Sequence, residues 1–203
     1  MHGKICPQCC GEQREVTLDC PSDCPYLLQA RQQTREQNEP LAEQDREAMF
    51  PEVEIAEHFL YEREELILGL SFALAKSARG DRALVDRDLI AALSSLAKSY
   101  QTRVNSSLIY ESATANLAHQ SIAREIEFMV REFRAAEQKN IGYTRLRDSD
   151  VLKALVFLLR MGFSRTSGRP KSRAFVDFLF AQFPEKHSAI AGPDEADSRI
   201  VIP

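Results

Sequence analysis

The chain has 203 residues, 44% of them hydrophobic and 28% charged, with a formal net charge of −4. That length and apolar share allow a sizeable core in one domain, or in one domain with a small appendage. The acidic balance excludes a global attraction to nucleic acid or anionic membranes, and the longest nearly apolar stretch, Leu66 to Ala75, is too short to span a bilayer.

All five cysteines fall between Cys6 and Cys24. They form Cys6-Pro7-Gln8-Cys9-Cys10-Gly11 and Cys20-Pro21-Ser22-Asp23-Cys24-Pro25. The start, Met1-His2-Gly3-Lys4, meets a cysteine at once and has no apolar leader region, so the expected location is cytoplasmic. Thiols stay reduced there, which favours metal over disulfide. The odd count also fits poorly with complete pairing.

A tetrahedral zinc site takes four soft ligands. Two residues between Cys6 and Cys9 let a tight turn aim both sulfurs at one point, and Gly11 lets backbone amides fold back toward them. Three residues between Cys20 and Cys24 predict thiols one turn apart on a helix running on through Tyr26 and Leu27. Its N-terminus would favour the negative charge of a tetrathiolate. The expected ligands of one zinc ion are therefore Cys6, Cys9, Cys20 and Cys24, with Cys10 free. An alternative set has Cys10 in place of Cys9, and His2 is a further candidate. The Cys-Pro-x-Cys turn resembles zinc knuckles and ribbons, a zinc finger-like feature that implies metal binding and no particular activity. The doubled Cys9-Cys10 and the wider second pair depart from the usual ribbon. Four thiolates leave no open coordination position, so the ion would be structural. An iron–sulfur cluster or a redox thiol pair are the alternatives on the same donors. Residues 1–25 hold few large apolar side chains, so metal binding is expected to supply their folding energy.

Residues 26–50 read as a polar helical connector. Leu27, Leu28 and Ala30 open a short helix, and between Arg31 and Glu47 only Leu41 and Ala42 are apolar, with Pro40 interrupting. Residues 51–184 read as a helical bundle. Pro51 suits a first helical turn, and Ile55, Phe59, Leu60, Leu66, Ile67, Leu70 and Leu74 continue a stripe to about Ala78, stopped by Gly80. Asp86 then caps a helix with the cleanest stripe of the chain: Leu89, Leu93, Leu96, Tyr100, Val104 and Leu108. A further helix spans about Ala115 to Gln138, with Asn140 and Gly142 as its stop. Asp148 or Ser149 caps the next one. Its middle, Ala154 to Leu159, is apolar nearly all round, which predicts a central position. A last helix carries Ala174, Phe175, Phe178, Leu179 and Phe183 up to Pro184. Residues 185–203 read as a mobile tail. The fold class is all-α: a bundle of four to six helices with a small Cys-rich metal-binding knob.

The segment from Arg160 to Arg173 has five basic residues and no acid: Arg160, Arg165, Arg169, Lys171 and Arg173. Feeding a helix N-terminus, it is a candidate anion- or nucleic-acid-binding loop; the bland reading is a solvated interhelical loop. The histidines His58, His119 and His187 lack a glutamate three residues before them, so no di-iron pattern exists; Glu54 and His58 read as a surface pair. Nucleotide-binding glycine loops and a nucleophile elbow are absent from the sequence. The expected function is that of a non-catalytic zinc-binding interaction or regulatory protein, with a protein as partner and no membrane. A nucleic-acid-binding protein using the head and the basic loop is the first alternative, and an iron–sulfur or thiol redox protein the second. Long amphipathic helices poor in aromatics also fit a homo-oligomer.

Overall fold

The computed structural model describes residues 5–37, 47–106 and 116–184. Among them are eight helices and no strand: α1 (Pro7–Gln13), α2 (Pro25–Gln37), α3 (Glu57–Glu62), α4 (Glu64–Gly80), α5 (Asp86–Ser106), α6 (Leu117–Ile141), α7 (Asp148–Arg165) and α8 (Ala174–Gln182). The described residues are thus all-α. His2, Pro40, Leu41, Leu108, His187 and the 185–203 tail lie outside the described residues.

Helix α7 is the axis of the bundle. Ala154, Leu155, Val156, Leu158 and Leu159 are all buried, as a helix apolar all round requires. It lies along α5, whose Leu89, Leu93, Leu96 and Tyr100 supply the facing stripe. Helix α4 packs against α6, and α8 closes the end against α4 and α7. One core cluster runs from Phe50 to Leu179 and contains no residue of α1 or α2.

Local signals set most boundaries. Asn116 caps α6 by accepting the Ala118 N–H at 2.9 Å, and Gly142 ends that helix at a φ of 80°, where a side chain would be strained. Asp86 opens α5, but its carboxylate serves another helix. It accepts the N–H groups of Phe175 at 3.0 Å and Val176 at 3.1 Å, and the Ser172 hydroxyl at 2.7 Å. Two orphan donors at the start of α8 are thus satisfied from α5.

Two boundaries differ from the periodicity. The stripe from Pro51 to Ala78 is not one helix: it breaks at Arg63, whose guanidinium reaches Asp150 at 2.9 Å and the Arg145 carbonyl at 3.4 Å. Pro51 opens a turn rather than a helix. Phe50, at a φ of 50°, is buried, and Arg160 draws the carbonyls of Phe50 at 2.7 Å and Val53 at 2.9 Å onto one guanidinium. Long-range anchoring overrides local period at both points.

Candidate functional site

Three of the five cysteines precede a proline, and this decides their geometry. The residue before proline is pushed out of the α region. Cys6 accordingly sits extended (φ −71°, ψ 153°) at the N-cap of α1, with Pro7 in the first turn. Its sulfur accepts the Cys9 N–H at 3.1 Å. Contact with the Cys9 thiol and this backbone N–H hold the Cys6 thiol below its ordinary value, and the same thiol contact pushes Cys9 up. The first pair therefore shares one helix turn, as its spacing predicts.

The second pair does not share a helix. Pro21 and Pro25 keep Cys20 and Cys24 out of helical geometry, and α2 starts only at Pro25. Residues 21–24 form a turn closed by the Cys24 N–H on the Pro21 carbonyl at 3.1 Å. Cys10 is half-buried beside a small cavity between α1 and α2, with Tyr26 and Gln33 on its wall. Among the described residues no group of three or more His, Cys, Asp or Glu side chains is gathered where one ion could sit. The four predicted ligands thus share one small head, but they do not converge.

A polar network absent from the sequence reading ties the head to the bundle. Glu15 follows α1 at a φ of 55°, a left-handed conformation usually left to glycine, and only 3% of its surface is exposed. Its carboxylate accepts Arg31 at 2.8 Å and the Ser167 hydroxyl at 2.7 Å, while its carbonyl accepts the Lys171 N–H at 2.8 Å. Arg31, itself 8% exposed, reaches on to Asp177 of α8 at 2.7 Å, and Asp177 also accepts the Ser22 hydroxyl at 2.8 Å. Desolvation works against the Arg31 charge. The hydrogen bonds and charges of Asp177 and Glu15 outweigh it and hold the guanidinium above its ordinary pKa. Arg31 therefore joins head, α2 and bundle at one buried point.

The basic loop is used internally. Arg160 holds the turn before α3, and the Arg165 guanidinium lies 4.1 Å from the centre of the Phe178 ring. Arg169 donates to the carbonyls of Gly11 at 2.9 Å and Arg14 at 2.7 Å. Lys171 donates to the Thr17 carbonyl at 2.8 Å and pairs with Asp19 at 2.9 Å. Arg173 donates to the carbonyls of Arg82 at 2.7 Å and Leu84 at 2.6 Å. This loop is the dock for the Cys-rich head. His119 contacts Asp88 at 3.3 Å and the Asn116 cap, and His58 is exposed on α3.

The fold and this site define an all-α protein with a thiol-bearing head seated on a helical bundle, and with no helix among the described residues long and apolar enough to cross a membrane. No model of a known protein family matches the chain, and neither curated proteins nor solved structures give a match.

Proposed function

We propose that this chain acts by binding rather than by catalysis: a zinc-binding head presented by a helical bundle to a protein partner in the cytoplasm. The observation that carries the reading is the Cys6–Cys9 turn. A cysteine sulfur at a helix N-cap, accepting a backbone N–H and lowered in pKa, is prepared to act as a thiolate ligand. Cys20 and Cys24 lie on the same anchored head and supply the remaining soft donors that zinc requires. Bringing Cys20 and Cys24 to the Cys6–Cys9 turn asks for local rearrangement within the head, which the coordination energy of a bound ion would reward. Elemental analysis of protein purified without added metal should give one zinc per chain and one readily alkylated thiol, Cys10. Five reactive thiols and no metal sink this reading.

A second reading takes the same turn as a redox dithiol. It is favoured by the exposure of Cys6 and Cys9 and by the opposite shifts of their two thiols. It requires a reversible Cys6–Cys9 disulfide in glutathione buffers, read by peptide mass spectrometry. A pair that stays reduced across that range removes it.

A further inference from the structure

The underside of the docked head forms one wall of a cleft of about 730 Å³ whose other walls are the α4–α5 connection and the loop before α8. Its size is that of a small-molecule site. Its lining is strongly basic: Arg31, Arg79, Arg82, Arg87, Lys171 and Arg173 against two carboxylates, Glu15 and Asp19. This surplus sits in a chain of net charge −4. The head contributes both carboxylates, and each is already committed, Glu15 to Arg31 and Asp19 to Lys171.

The remaining four cations have no carboxylate within ion-pair distance among the described residues. Two of them are nevertheless fixed in place. Arg173 is pinned by the Arg82 and Leu84 carbonyls. Arg79 donates to the Phe183 carbonyl and its guanidinium lies 4.9 Å from the centre of the Phe180 ring. Carbonyls and rings orient a guanidinium without cancelling its charge, so both positions are preorganised and still cationic. Arg82 and Arg87 stand exposed at the rim. On the opposite wall lies Arg31, buried, with its Nε–H meeting no acceptor among the described residues.

Concentrated like charge in a concave site raises the local potential, and forked guanidinium donors match phosphate oxygens. The neighbouring carboxylates serve other groups: Asp81, on the α4–α5 connection, accepts the Ala83 N–H at 2.9 Å and forms no ion pair among the described residues. Asp86 is buried on the α8 N-terminus, Asp88 faces His119, and Asp177 serves Arg31 and Ser22. We propose that this cleft binds a small polyanion carrying two or more phosphate groups, held between Arg79, Arg82, Arg87 and Arg173. The assignment goes beyond the metal reading, since none of these arginines is a candidate metal ligand.

The test is calorimetric titration of the full chain with inorganic tripolyphosphate. A single site is expected, with affinity falling as salt rises. The double change Arg82→Glu with Arg87→Glu, at two exposed positions, should weaken binding by at least about tenfold while circular dichroism stays unchanged. A control pair, Arg124→Glu with Arg131→Glu on exposed positions of α6, makes the same change in net charge and should leave affinity within about twofold. Absence of heat at millimolar tripolyphosphate overturns the proposal, and so does an equal loss from the control pair. Tighter binding of an oligonucleotide through Arg82 and Arg87 overturns the small-ligand assignment.

Discussion

Arg31 occupies a place that water scarcely reaches, and it holds its charge there because two carboxylates come with it. Removing one partner of a buried pair usually costs about 3–5 kcal/mol, because the charge left behind is desolvated and unpaired. Arg31→Met should therefore strand Glu15, which would keep only the Ser167 hydroxyl. The loss is expected as local opening of the head rather than global unfolding, since the bundle's core cluster contains no residue of it and Leu27 is its one buried apolar side chain among the described residues. Hydrogen exchange should quicken across residues 5–37 while amides of α5 and α7 keep their protection. Uniform loss of protection would show that the anchor is part of the core after all. None of this was legible in the sequence. Arg31 stands in a run of Gln, Arg and Glu, and its partners lie 16 residues before it and 146 after it. Periodicity finds apolar faces; it has no signal for a distant ion pair.

A second residue supplies a pH signature. Glu137, near the end of α6, catches the chain that leads into α7. Partial desolvation raises its pKa, but hydrogen bonds from Thr144 and the Leu146 and Arg145 amides, with Arg63 nearby, outweigh it and hold the carboxyl below the usual 4.5. A depressed carboxyl adds stability above its unfolded pKa and loses it as pH falls through the folded one. The native chain should thus be more stable than Glu137→Gln at neutral pH, with the gap closing below about pH 4.5. Burial of Asp86 acts in the opposite sense, raising its pKa and favouring the fold toward acid. Comparing the two chains at each pH isolates Glu137 from that background. A gap that is constant from pH 7 to 3 would mean that the carboxylate charge contributes nothing.

At the scale of elements, apolar pattern carried far. The stripe from Leu89 to Tyr100 is buried against α7, and in the apolar run from Ala154 to Leu159 every residue but the half-buried Phe157 is buried. The helix stop at Gly142 was legible because glycine takes its left-handed φ of 80° at little cost; the stop near Gly80 needs no such conformation, since the helix ends there at the extended Asp81. The helix proposed for Cys20 and Cys24 failed because the two prolines that follow them outweigh a spacing argument. Gly162 shows a constraint that no sequence rule exposes. A Cβ there would stand 3.0 Å from Ile90 Cγ1 and 3.3 Å from the Phe175 ring, so α5, α7 and α8 close on that point. Gly162→Val should cost about 1–3 kcal/mol by overpacking, despite the gain from removing glycine from a helix. Urea denaturation checks it, and a neutral or stabilised variant would show that Ile90 and Phe175 yield freely.

The whole molecule divides by the kind of interaction that holds each part. Every member of the core cluster lies between Phe50 and Leu179, whereas the head is joined by Glu15–Arg31–Asp177, by Arg169 on α1 carbonyls and by Lys171. Apolar burial is the main driving force for cooperative folding, and polar docking adds little to it net of desolvation. A chain shortened to begin at Glu47 should therefore still unfold in one sigmoidal transition. Its dispersed methyl resonances should persist, because no member of the bundle's core cluster leaves with the head. Asp177 loses its partner in that truncation but gains water, so the carboxylate is not stranded as Glu15 would be. The same division makes the chelation outcome sharp if zinc closes the head: a strong chelator should remove order from residues 5–24 and leave the bundle's helical signal nearly intact. Collapse of the whole circular dichroism spectrum on chelation, or a truncated chain without cooperative unfolding, would mean that head and bundle fold as one unit, and the polar seam between them would then have to carry energy that burial normally supplies.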